Sequence, residues 1–125
     1  TCGGNVFASP TNIIVAFKHQ KRRFVEKVDF ITSPGFVRGG KSRTESGLLR
    51  GGVFRVITEL GVFGFGEESG RMKVLALNPG VTREEVQDNT GFTLEFDERL
   101  ETTAPPTTHE LETLRLIDPD RLFTA

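Results

Sequence analysis

Ile13-Ile14-Val15-Ala16-Phe17 is an unbroken apolar run, bounded by Asn12 on one side and by Lys18-His19-Gln20 on the other. A run of this length suits a strand better than a buried helix. Continuous rather than alternating apolarity is what a strand covered on both faces requires, as in a parallel sheet flanked by helices. The stretch therefore predicts an α/β domain built around it. Upstream, Gly3-Gly4-Asn5 reads as a flexible turn, and downstream Lys18 to Arg23 forms a polar, basic connection, so the unit is glycine loop, buried strand, basic loop.

Working outward, Val28-Asp29-Phe30-Ile31-Thr32 predicts a second short strand, stopped by Ser33-Pro34-Gly35 because proline removes a ladder donor and glycine permits a positive φ. Residues 38 to 52 carry glycine pairs at both ends and no sustained periodicity, which predicts an exposed loop. From Phe54 the pattern alternates and predicts one long strand, with Phe54, Val56, Thr58, Leu60 and Val62 on one face and Ile57, Phe63 and Phe65 among those on the other. Gly66 to Gly70 then makes a turn and Met72 to Leu77 returns as its hairpin partner, closed by Asn78-Pro79-Gly80.

Thr82-Arg83-Glu84-Glu85 has the spacing of a capping box: the Thr82 hydroxyl can accept from the Glu85 amide while the Glu85 carboxylate reaches back, with Val81 and Val86 as a staple. With Gly91 as a left-handed stop, it predicts a helix over 83 to 90. Thr93 to Phe96 is a further candidate strand. After Pro105-Pro106 the pattern Thr107-Thr108-His109-Glu110 repeats the cap and opens a helix whose Leu111 and Leu114 share a face until Asp118-Pro119.

Composition excludes more than it selects. The 125 residues, 36% hydrophobic and 26% charged, are those of one ordinary soluble domain, read here as a single domain over 1–125. A net charge of -1 argues against a nucleic-acid binder. No apolar run approaches the ~18 residues that span a bilayer, and the single cysteine, Cys2, has no internal disulfide partner, so the expected location is cytoplasmic, without membrane contact. With no initial methionine and no charged-then-apolar leader, no signal peptide is expected in the chain as given, and a fragment or a processed chain is compatible with it. Eleven Phe stand beside no Tyr and no Trp, for which there is no physical account.

Several residues could carry chemistry. His19 and His109 are far apart and offer no local ligand pair with Cys2, so no metal site is expected. A Cys2 nucleophile with either histidine, or Thr1 as an N-terminal nucleophile, has nothing in the pattern to favour it. Glu67 and Glu68 fall in an exposed turn, and Glu45 in a glycine-bounded loop, where carboxylates are ordinarily solvated. Gly3, Gly4 and Asn5 are more suggestive, because a glycine loop entering a buried strand lets backbone N–H groups converge on a thioester oxygen or phosphate. Lys21, Arg22 and Arg23 could meet the phosphates of a nucleotide such as coenzyme A, although a solvated connection is the commoner fate of such a run.

Three stretches then resemble one family: Lys21 to Gly35 (KRRFVEKVDFITSPG), Arg55 to Phe63 (RVITELGVF) and Pro79 to Phe92 (PGVTREEVQDNTGF). In this order they resemble the type I CoA-transferases, and within them the B subunit of the glutaconate CoA-transferase branch, in its C-terminal half. The resemblance runs from about Cys2 to near Asp118. It implies a doubly wound open α/β sheet, represented by its C-terminal half. It also implies pairing with an A subunit and with the N-terminal half of the B subunit, and an acyl-CoA lying between subunits. CoA enters as substrate, with no permanently bound cofactor.

The implied reaction is covalent. A glutamate attacks the thioester, forms an acyl-glutamyl anhydride, and becomes a glutamyl-CoA that receives the second acid, while a glycine loop stabilises the oxyanion. In the family that glutamate lies in the N-terminal half, so no residue here inherits the role. Glu45 and Glu68 each precede Ser-Gly and superficially match the nucleophile motif, but their surroundings match later, non-catalytic segments. The glycine loop also departs from the family, in which Gly-Gly is followed by a small residue, Asn and Asp, whereas this chain reads Gly3-Gly4-Asn5-Val6-Phe7. Two alternatives accompany this reading: a hydrolase of a ring-bearing acyl-CoA in steroid breakdown, and a non-catalytic interaction module that keeps the fold.

Overall fold

A computed structural model describes residues 12–48 and 51–122, and five strands of these form one mixed sheet in the order β1-β2-β3-β4-β5. β1 (Asn12–Ala16) runs parallel to β2 (Gly52–Ile57), and the crossover between them carries the single turn α1 (Ser42–Glu45). β3 (Gly61–Phe65) and β4 (Met72–Leu77) follow as antiparallel neighbours. A second crossover, carrying α2 (Arg83–Asp88), returns the chain to β5 (Glu95–Thr102), parallel to β4, and α3 (Thr108–Ile117) comes last. This is an α/β domain, as the opening strand predicts.

One face of the sheet holds the core. Val56, Phe63, Val74 and Leu77 come from β2, β3 and β4, and Phe24, Val86 and Leu94 pack onto them from the connections. Phe63 and Val74 are fully buried, as is Val86, the one buried residue of α2. Burying each such side chain is worth about 1.5–3 kcal/mol, so this cluster is what fastens α2 to the sheet.

The predicted long strand from Phe54 is instead a hairpin. Thr58 N donates to Gly61 O at 2.9 Å and Gly61 N to Thr58 O at 3.3 Å, so Glu59 and Leu60 are a two-residue loop. The apolar pattern hid the turn, because neither loop residue is a glycine or asparagine. The turn also changes the phase of the alternation: Val56 pairs with Phe63 and Ile57 with Val62, which puts Phe63 and Phe65 on the face of Val56, not opposite it.

Val28 to Thr32 is not a strand. Phe30 is 79% and Ile31 66% exposed, and the neighbourhood meets another segment at the isolated bridge Val25–Gly91. β-Branched and aromatic residues supply a local preference, but a strand also needs a partner edge. β1 is a strand as predicted, yet it is not covered on both faces among the described residues, since Ile14 is 59% exposed. The expected loop over 38 to 52 contains α1 and the first residue of β2, and it buries Arg43. β5 begins near the predicted Thr93 but continues to Thr102.

The caps form where the sequence places them, with three corrections, the first being that at Thr82 the Glu85 carboxylate does not reach back, so only half of that box is made. The Thr82 hydroxyl accepts from Glu85 N at 3.1 Å, and α2 ends at Asp88, short of the predicted 90. Gly91 is not a left-handed stop. Its N–H donates to Phe24 O at 2.6 Å, and a Cβ built on it would stand 2.5 Å from that oxygen, so glycine is required there by close approach. The Thr107 box is complete: Glu110 N donates to the Thr107 hydroxyl at 3.2 Å and Thr107 N to the Glu110 carboxylate at 2.7 Å. α3 nevertheless buries none of its residues.

Candidate functional site

Gly51 and Gly52 open β2 with φ of 123° and 105°, a region in which a side chain would be strained. The Arg43 guanidinium lies over this backbone, its central carbon at an ordinary contact distance of 3.6 Å from where a Gly52 Cβ would stand. The same guanidinium donates to Gly35 O at 2.7 Å. Arg43, buried, thus holds residue 35 beside the start of β2. Gly40 N donates to Ser69 O at 3.2 Å, which seats the segment's other side on the β3–β4 turn.

Between this segment and the sheet lies a cleft of about 650 Å³, lined among others by Phe36, Arg43, Phe54, Arg55, Lys73 and Asp97. The Arg55 guanidinium carbon lies 3.9 Å from the centre of the Phe54 ring, and its Nη1 donates to Phe54 O at 2.8 Å. Lys73 Nζ donates to Asp97 Oδ2 at 2.6 Å. That hydrogen bond, aided by the Arg99 amide, holds the Asp97 carboxyl below the usual range. Guanidinium and ammonium donors beside phenylalanine rings suit a ligand that is anionic at one point and flat or apolar at another.

The sequence-predicted residues are not gathered in this cleft. Gly3, Gly4 and Asn5, with Thr1 and Cys2, lie outside the described residues. Lys21, Arg22 and Arg23 sit in an exposed turn after β1, pinned by Arg23 N donating to Gln20 O at 2.8 Å. Arg22 Nε donates to Gln20 Oε1 at 2.9 Å. Arg23 alone of the three lines a second hollow, of about 450 Å³, with Phe17, Phe24, Met72 and Phe92. Glu45, Glu67 and Glu68 are exposed. Among the described residues no group of three His, Cys, Asp or Glu is placed to hold a metal ion, and no helix is long and apolar enough to cross a membrane.

Sequence reasoning missed Arg43, Arg55 and Lys73. The Gly51-Gly52 pair was the available signal, but a pairing rule for Arg43 could not be read without the fold. It also passed over His19 as a structural residue. His19 is buried, stacked on Phe24 with ring centres 3.9 Å apart, and its backbone N–H donates to Glu59 Oε2 at 2.7 Å. Its ring nitrogens reach Thr58 Oγ1 at 3.2 Å and Thr90 Oγ1 at 3.1 Å. Burial lowers the pKa of His19, against the opposing pull of Glu59. The Glu59 carboxyl also lies below its usual range: desolvation pushes it up, but the His19 and Glu59 amides and the charges of His19 and Lys18 outweigh that.

Residues 5–89 match the coenzyme A transferase family model, and the chain belongs to that family. Within it, the chain is 39% identical over 113 residues to the B subunit of 3-oxoadipate CoA-transferase from Pseudomonas knackmussii, covering 90% of this chain and 44% of that one. It is 36% identical over 120 residues to the cholesterol ring-cleaving hydrolase IpdB subunit of Mycobacterium bovis, covering 95% of this chain and 47% of that one. Its fold is similar to the crystal structure of glutaconate coenzyme A-transferase from Acidaminococcus fermentans, with TM-score 0.82 and 33% identity over 98% of this chain and 48% of that one. The chain thus spans a little under half the length of the relatives it matches.

Proposed function

We propose that this chain is the C-terminal part of a CoA-transferase B subunit. It contributes one wall of a site that moves CoA between an acyl-CoA of dicarboxylic or 3-oxo acid type and a free carboxylic acid. The observation that carries the reading is the family match over residues 5–89, together with the two family-like stretches that hold the β2–β3 hairpin and α2. The reaction runs through a glutamyl-CoA thioester whose glutamate lies in the preceding half of the subunit. Consistent with this, the carboxylates that superficially match the nucleophile motif, Glu45 and Glu68, are solvated here.

In this reading Gly3, Gly4 and Asn5 supply backbone donors to the developing oxyanion, and Lys21, Arg22 and Arg23 meet the CoA phosphates as charge-assisted donors. Binding energy from the remote nucleotide is then expressed at the reacting carbon. The partners are an A subunit and the N-terminal half of the B subunit, in the cytoplasm.

Native mass spectrometry of the chain with its A subunit, before and after adding a short dicarboxylyl-CoA, tests this. A complex that gains the mass of covalently held CoA is the expected result. Enzymatic transfer by this chain alone would overturn it. The hydrolase similarity favours a second reading, in which water replaces the acceptor acid. Product analysis with and without an acid acceptor separates the two.

A further inference from the structure

The hydroxyls around His19 have their roles set by other bonds. The Thr90 hydroxyl donates to Val86 O at 2.8 Å, so toward His19 Nε2 it can act only as acceptor, and Nε2 carries the hydrogen. Thr58 Oγ1 accepts from Leu60 N at 3.1 Å, and its own hydrogen can point at His19 Nδ1, 3.2 Å away. A neutral ring is thereby held in one tautomer, with the hydrogen on Nε2 and Nδ1 accepting from Thr58. It bridges three segments: the exit of β1, the β2–β3 turn through Thr58, and the end of α2 through Thr90.

We propose that His19 is a pH-responsive positioning residue, a neutral clamp across these segments that releases the Thr58 side of the β2–β3 turn when it takes a second proton. A hydrogen on Nδ1 would meet the one Thr58 now directs at it, so the Thr58 hydroxyl must rotate or the turn must move. The charge facing the ring from that turn is Glu59, which is engaged with the His19 backbone N–H. Lys18, next to it in the chain, acts on Glu59. α2 presents the Asn89 carbonyl and the Thr90 hydroxyl, and Phe24 and Phe63 present apolar rings. An imidazolium would draw Glu59 toward the ring and away from the amide. The clamp stands on these contacts alone, independently of the CoA reading.

The test is nitrogen-detected NMR of the histidines in the purified chain, in its complex where one forms, with thermal midpoints at about pH 7.5 and about pH 5.5. The expected result is a neutral Nε2–H tautomer for His19 at the higher pH. The midpoint should fall on acidification, and His19→Gln should lose at least half of that fall while His109→Gln, at an exposed site on α3, keeps it. A charged ring or an Nδ1–H tautomer at the higher pH, or an undiminished fall in His19→Gln, would overturn the proposal. If His19→Gln does not fold, the tautomer and titration of the parent ring decide alone, and titration at or above the ordinary histidine value refutes it.

Discussion

The Gly91 amide donates to the Phe24 carbonyl at 2.6 Å, joining the segment that follows α2 to the basic connection after β1. The contact leaves no room for a side chain, since a Cβ on Gly91 would stand 2.5 Å from that carbonyl oxygen and 3.4 Å from the Val25 Cα. Backbone cannot swing aside as a flexible side chain can. Gly91→Ala is expected to destabilise the fold by about 1–3 kcal/mol, the usual range for overpacking, read as a lower urea midpoint at unchanged slope.

The two helix caps should respond differently to the same change. Thr82→Ala removes the acceptor for Glu85 N from a helix whose Val86 is in the core, so it should lower global stability by about 1 kcal/mol. Thr107→Ala removes a complete capping box from α3, which buries none of its residues. A ten-residue helix held mainly by local bonds is marginal. Hydrogen exchange across 108–117 should therefore rise with little movement of the urea midpoint.

Stability should fall with acid in two separate windows. The His19 pKa is lowered from 6.5, so the unfolded chain binds more protons than the folded one just below that value, and stability is lost as pH falls from about 6.5. Glu59 and Glu110 are lowered from 4.5 and Asp97 from 3.8, Glu110 by the Thr107 amide and hydroxyl. What these carboxylates contribute is present above their unfolded values and is lost as pH falls through the folded ones. Thermal midpoints measured from neutral to strongly acidic pH should show both steps, with His19→Gln removing the upper one and reducing the Glu59 share of the lower.

Lys73 and Asp97 form a close but part-exposed pair, 2.6 Å apart with side chains 32% and 25% accessible. Solvent screening limits such a pair, and a double-mutant cycle with Lys73→Met and Asp97→Asn should return only a small coupling that shrinks further in high salt. A coupling well above that would mean the cleft is drier than its geometry indicates.

Truncating the centre of the core is the severest change expected. Phe63 is fully buried, touches the rings of Phe24 and His19, and pairs with Val56 and Val74 across both neighbouring strands. Phe63→Ala should cost about 3–5 kcal/mol, measured by denaturant unfolding where the variant still folds.

What the sequence determined by itself was whatever is local or carried by pattern: the β1 run, the Gly66–Gly70 hairpin, both threonine caps and the family stretches. Each of these depends on residues within a few positions of one another, so their chemistry is legible in order. The tertiary structure decided the rest, because it turned on partners distant in the chain. The apolar alternation from Phe54 to Phe65 could not reveal that Glu59-Leu60 reverses the strand, since a two-residue turn without glycine or asparagine carries no local turn signal. Val28 to Thr32 had strand character but met no partner edge. His19 looked like a lone histidine in a basic loop until folding brought Thr58 and Thr90 to its two nitrogens. Arg43 acquired its place in the cleft only when Gly35 and Gly52 closed on it, because hydrogen bonding and close packing are satisfied in space and leave no spacing rule in the chain.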